Sequence, residues 1–202
     1  MPDTRLKLRN RLNQLTYLAV LITFAVVIHT VEAALPLPMP VPGIRLGLAN
    51  IITLLTLVLF GLRSGLLVAM TRSVLGSIFV GGLFGFGFWL SFSAGIVSCL
   101  VMGLVLILQR KGIVSLISVS VIGAASHNLT QLALASLIIA NFALLKGYYP
   151  LLLLLSVPTG IFTGLAAYYL EGETRRMIKQ SSSGAGRRKL SLLLNLHAGQ
   201  PL

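Results

Sequence analysis

EAALPLPMPVPGIRLGLAN, residues 32–50, decides how the chain is laid out. Proline stands at every second position from 36 to 42 (Pro36, Pro38, Pro40, Pro42), and Gly43 follows. Proline cannot continue a helix and favours extended backbone. One helix must therefore end before this run, and the next must begin after Gly43. The flanks are long and apolar, so the stretch reads as a short, stiff connection between two membrane spans. Yet Glu32 stands at one edge, and Arg45 and Asn50 at the other. Ionisable groups in hydrocarbon cost about 2.5–3.5 kcal/mol each on insertion scales, so their presence here requires a reason.

The rest of the composition agrees with a membrane setting. Of 202 residues, 56% are hydrophobic and 10% charged, whereas soluble domains are about a quarter charged. The expected fold is an all-α membrane protein, surrounded by lipid bilayer. Strand-period alternation of the barrel kind is absent, and no internal repeat stands out. The net charge is +12. No basic, aromatic-interleaved surface exists outside the apolar segments, so nucleic acid is not an expected partner. Basic loops on the cytoplasmic side of a membrane account for the charge instead. The lone cysteine, Cys99, excludes an internal disulfide and a cysteine-rich metal site. The basic N-terminus resembles a signal peptide, but the apolar run continues to Leu35, too long for one. It reads as an uncleaved first span.

Hydropathy gives six spans, at about 15–35, 44–62, 64–80, 88–108, 114–140 and 149–170. Together they form one transmembrane domain, 15–172, between a basic N-terminus (1–14) and a basic tail (173–202). The fifth is long and is expected to tilt, or to break near Gly123. With the N-terminus cytoplasmic, six spans place both termini inside. Thirteen of the sixteen Lys and Arg residues then lie inside: Arg5, Lys7, Arg9, Arg11, Arg63, Arg110, Lys111 and six in the tail. That asymmetry selects the orientation and the even number of spans. Trp89, Tyr148 and Tyr149 fall at the outer boundary and Tyr17, Tyr168 and Tyr169 near the inner one, where such rings favour the interface. In the tail, QSSSGAGRRK reads as a flexible basic linker, and LSLLLNL after it is too short to span.

Position along a span gives depth, at ~1.5 Å per residue. Glu32, Arg45, Asn50, Arg72, His127, Asn128 and Gln131 all fall in the outer half of their spans. Intramembrane polar groups face the bundle interior and find partners. Two readings compete. In one, Glu32 pairs with Arg45 or Arg72 and the amides cap broken backbone. In the other, the band lines a polar pocket that takes a small molecule from outside. The number of polar groups favours the pocket, and the surplus of arginine favours a ligand with carboxylate or phosphate groups. His29 and Glu32 share a face of span one, and His127, Asn128 and Gln131 form a stripe on span five. His29 taken alone is a weak ligand candidate. Nothing in the spacing of His29, Glu32 and His127 demands a metal, and no cofactor is implied. Over this band, Pro36, Pro38, Pro40, Pro42 and Gly43 form either a lid or a rigid turn. GGLFGFGF at 81–88 is likewise a gate or a close-packing turn. Small residues recur four apart at Ala19 and Thr23, at Gly95, Cys99 and Gly103, and at Gly160 and Gly164, a spacing that lets helices approach closely.

PGIRLGLANIITLL (42–55) and GAASHNLTQLALA (123–135) together resemble the Gx transporter family. Its members are often labelled heptaprenyl diphosphate synthase component I. That family is in turn similar to the substrate-binding S components of energy-coupling factor vitamin transporters. The resemblance covers roughly residues 14–172. It implies a six-helix, multi-pass, S-component-like bundle in a prokaryotic cytoplasmic (inner) membrane, binding a small molecule from outside. It also implies partners that supply energy, a membrane coupling protein with ATPase subunits. Ala19 and Thr23 are the nearest match to the small residues that meet the coupling protein in S components.

Enzymatic activity is not expected. Prenyl diphosphate synthases hold magnesium with aspartate-rich sites, and the single aspartate here is Asp3. Three functions therefore stand: a transporter subunit for a small, anionic, vitamin- or cofactor-like molecule; a non-catalytic membrane accessory of prenyl diphosphate or quinone synthesis; and a stand-alone secondary transporter using Glu32 or His127 for a proton.

Overall fold

The computed structural model describes residues 2–35 and 43–198. Six helices follow in order: α1 (Pro2–Ala34), α2 (Asn50–Phe60), α3 (Leu62–Phe79), α4 (Phe86–Arg110), α5 (Leu116–Ile138) and α6 (Ala143–Ala198). Among the described residues there is no strand. Segments in α1, α3, α4, α5 and α6 are long and apolar enough to cross a membrane: Arg11–Ala34, Leu62–Phe79, Phe86–Arg110, Leu116–Ile138 and Ala143–Thr174. The chain is a helical, multi-pass membrane protein.

The second helix departs from expectation. A span over 44–62 is not what forms. The helix begins only at Asn50 and has 11 residues, about 16 Å at 1.5 Å per residue. That is half of a ~30 Å hydrocarbon core. Before it, residues 44–47 carry no regular structure and Leu48–Ala49 form a turn. Two glycines hold the unwound chain: Gly43 has φ +90 and Gly47 φ +83, in the region that L side chains avoid. Six full-length spans therefore become five, plus a half-length helix continued by unwound backbone.

Such backbone persists at membrane depth only when protein surrounds it. α2 meets that condition, because it touches each of the other five helices. Its residues from Asn50 to Leu57 are all buried, as suits a helix that is apolar all round. At one end of the bundle Leu54, Leu57, Met102, Leu106 and Leu116 form an apolar core. Leu21, Ala25, Ile52, Leu55 and Val68 extend it between α1, α2 and α3. At the other end Ile44, Leu90, Leu132, Ala135 and Leu152 form a second apolar cluster.

Close helix contacts rest on glycine. A Cβ at Gly160 would lie 2.5 Å from Val121 Cα, and one at Gly164 2.9 Å from Ile117 Cα. These two positions seat α6 on α5, as their spacing predicts. Gly123 does not break α5; it makes room for Met102 of α4, whose side chain would lie 2.5 Å from an added Cβ. The tail departs from the flexible-linker reading too, because α6 runs on to Ala198. Serine and glycine weaken a helix by up to ~1 kcal/mol each without forbidding it.

Candidate functional site

The site grows from the unwound segment before α2. Its backbone groups need partners, and each one described comes from a different direction. The N–H groups of Asn50 and Ile51 turn back onto the carbonyls of Gly47 (2.9 Å) and Leu48 (3.1 Å). The N–H groups of Gly47 and Leu48 have no such partner within the turn. Glu32 supplies it from the last turn of α1: Oε1 accepts Gly47 N–H at 2.6 Å and Oε2 accepts Leu48 N–H at 3.1 Å. A carboxylate on these groups also complements the positive end of the α2 dipole. Arg45 N–H donates to Gln131 Oε1 of α5 at 2.8 Å.

The charged side chains complete the network. The Arg45 guanidinium reaches across to His29 Nε2, one turn from Glu32 on α1. The His29 ring is itself seated against Gly76 of α3, where an added Cβ would collide with it. Arg72, on α3, is 2% exposed. Its Nη2 donates to Asn50 Oδ1 at 2.7 Å. Gln131 Nε2 donates to His127 Nε2 at 2.6 Å, because Gln131 Oε1 is already taken by Arg45. The His127 proton then sits on Nδ1, the side of the ring not bonded to Gln131. Gly47 packs directly on this group, since a Cβ there would lie 2.9 Å from Asn50 Nδ2 and 3.0 Å from His127 Cδ2.

The structure thus brings together Glu32, Arg45, Asn50, Arg72, His127 and Gln131 in one layer, buried except for the half-buried Arg45. His29 belongs to it as well, on the strength of its contact with Arg45. Asn128 is turned away: its Nδ2 donates to the Leu152 carbonyl of α6 at 3.1 Å. Among the described residues no ion pair joins Glu32 to either arginine. One of the two readings of the sequence pairs Glu32 with a guanidinium; the partner found is backbone. Unwound amides with no helical acceptor attract the carboxylate, while the arginines meet His29 and Asn50.

Several buried polar atoms in and near the layer lack any partner: Asn50 Nδ2, Thr53 Oγ1, Arg72 Nε, Ser77 Oγ, Ser91 Oγ and Asn128 Oδ1. The small hydroxyls Thr53, Ser77 and Ser91 escaped sequence reading, because serine and threonine are common in membrane helices and their depth alone says little. Thr53 follows Asn50 by one turn of α2, which is the signal that could have drawn it in.

Of the gate residues, Pro36, Pro38, Pro40 and Pro42 lie outside the described residues. Gly43 approaches the start of α4, where an added Cβ would sit 3.1 Å from Gly87 Cα. Ala19 and Thr23 are exposed on α1, and the Thr23 hydroxyl donates to the Ala19 carbonyl at 3.0 Å. They face away from the polar layer. Near them, α1, α2 and α6 enclose a groove of about 390 Å³, lined by Tyr17, Phe24, Ile52 and Leu170 among others. It is apolar and separate from the hydrogen-bonded network.

A family model described as heptaprenyl diphosphate synthase component I matches residues 21–170, well over half of the chain. That segment contains every residue of the polar layer. Neither curated proteins nor solved structures gave a match.

Proposed function

The chain belongs to the heptaprenyl diphosphate synthase component I family, and from that premise we propose that it is the substrate-binding membrane subunit of a small-molecule transporter. The uncompensated charge of the buried layer carries this reading. Two arginines, the buried Arg72 and the half-buried Arg45, share the layer with one carboxylate, Glu32, and the carboxylate is engaged by backbone. A buried charge without a partner is costly. A ligand bearing a carboxylate or phosphate removes that cost and satisfies the orphaned donors of Arg72 and Asn50. In this reading Arg45, Asn50, Arg72, His127 and Gln131 hold the ligand. Asn128 ties α5 to α6 behind them.

Most of the layer is buried in this conformation, with Arg45 half-buried, and the ligand enters from the end that carries the proline run. Gly43 and Gly87 are where that end is pinned. Both termini are cytoplasmic in this proposal, the membrane is a prokaryotic cytoplasmic one, and the protein is not itself an enzyme. Energy comes from partners of the energy-coupling factor type, a membrane coupling protein with ATPases, docking on the exposed α1 face near Ala19 and Thr23.

The family's description favours a second reading, a non-catalytic accessory to prenyl diphosphate synthesis. The two readings separate by experiment. Small molecules co-purified with the detergent-solubilised protein are identified by mass spectrometry, beside an Arg45→Ala, Arg72→Ala variant. A polar anion bound stoichiometrically to the wild type and lost from the variant supports the transporter subunit. Its absence, with a prenyl-transferring enzyme co-purifying through the tail, supports the accessory.

A further inference from the structure

Glu32 is bonded as a ligand would be. Its two oxygens take two successive backbone N–H groups, Gly47 and Leu48, at the head of the 11-residue helix α2. Half-helix N-termini inside membrane bundles are natural positions for anionic groups. If Glu32 were only a structural cap, the donors beside it would be satisfied together with the backbone. They are not. Asn50 is 5% exposed, and its Nδ2 lies against Gly47 with no partner. Arg72 is 2% exposed, and its Nε has no partner either. Glu32 takes the two backbone N–H groups and leaves the Asn50 amide, packed on Gly47, unmet. A free carboxylate is not held at that approach.

Among the described residues, α1 packs chiefly on α2 and α3. Among the described residues, its side-chain hydrogen bonds to the unwound segment are those of Glu32 and the His29–Arg45 contact.

We infer that the Gly47–Leu48 amides, with Asn50 Nδ2 and Arg72 Nε, form a carboxylate-binding position that Glu32 occupies in this conformation and yields to a ligand carboxylate. This rests on the reading of the polar layer as a ligand site. Glu32 is then an internal stand-in for substrate. It keeps the site closed and the half-helix satisfied until a carboxylate arrives, and the released side chain follows α1 outward.

The test uses the full chain in detergent and formate as the probe. Glu32→Ala empties the position. Formate should raise the melting temperature of this variant by several degrees, saturably, and leave the wild type unchanged. Chloride at equal ionic strength should do neither. Adding Asn50→Ala to Glu32→Ala should weaken the apparent formate affinity severalfold, because the orphaned amide is then missing. If Glu32→Ala does not survive extraction, it is extracted with formate throughout, and recovery of folded protein becomes the readout. No formate dependence in either format, an equal response to chloride, or indifference to Asn50→Ala would overturn the inference. A clear formate effect in a protein that co-purifies no ligand supports the anion position while removing the transport reading.

Discussion

Arg72 of α3 donates to Asn50 Oδ1, the first residue of α2, at 2.7 Å, and both side chains are buried. This bond joins a full-length helix to the half-length one. Asn50→Leu leaves a guanidinium buried without its acceptor, so stability should fall by about 1.5–3 kcal/mol. Adding Arg72→Met removes the stranded charge as well. Replacing both partners by apolar groups is far less costly than removing one, so the double variant should recover much of the loss. Denaturant unfolding of all four proteins in detergent tests this. A double variant no more stable than Asn50→Leu would show that the pair is not coupled.

Gly47→Ala should be worse than its size suggests. The φ of +83 costs an L residue about 1–2 kcal/mol. The new Cβ would also displace Asn50 Nδ2 at 2.9 Å and the His127 ring. Gly81→Ala separates the two effects, since Gly81 has φ +73 with nothing within 4 Å. Melting temperatures should fall for both variants and fall further for Gly47→Ala, which alone should lose any co-purified ligand. Equal shifts would mean that only backbone strain is at work there.

The sequence makes the long helices legible because hydropathy and length act together. The runs at 64–80, 88–108 and 114–140 become α3, α4 and α5 with ends moved by two residues or so. Of the residues assigned to one band, Glu32, Arg45, Asn50, Arg72, His127 and Gln131 meet in the structure, whereas Asn128 turns to Leu152. What could not be read is the break before α2. Positive φ at Gly47 is worth adopting only because Glu32, fifteen residues earlier, satisfies the freed N–H. That is a tertiary fact with no local signature. The same limit explains why His29 looked weak: its role depends on Arg45 coming within reach across an unwound segment.

Two glycines of α6 should respond in opposite directions. At Gly160 an added Cβ meets the backbone of Val121, which cannot swing aside as a side chain can. Gly160→Ala should therefore cost about 1–3 kcal/mol, the usual range for overpacking. Gly172 lies in the same helix with nothing within 4 Å. Gly172→Ala should be neutral or stabilise by about 0.4–1 kcal/mol through helix propensity and the unfolded chain. Unfolding midpoints of the two variants decide the matter, and a neutral Gly160→Ala would refute the tight α5–α6 seam.

The orientation drawn from basic residues can be tested with little background, because the single native cysteine, Cys99, is fully buried. Lys146 lies in the first turn of α6, just past the α5–α6 connection, and Arg176 lies beyond the apolar part of the same helix. Both side chains are exposed, and Arg176 pairs with Glu173 at 2.8 Å on the surface. Such exposed pairs contribute little, so Arg176→Cys and Lys146→Cys should fold normally. In intact cells a membrane-impermeant maleimide should label Lys146→Cys and leave Arg176→Cys unlabelled until the membrane is opened. Labelling of both in intact cells would mean that α6 does not cross the bilayer. The reverse pattern would place the proline run, and with it the entrance to the polar layer, on the cytoplasmic side, turning an uptake site into one filled from within.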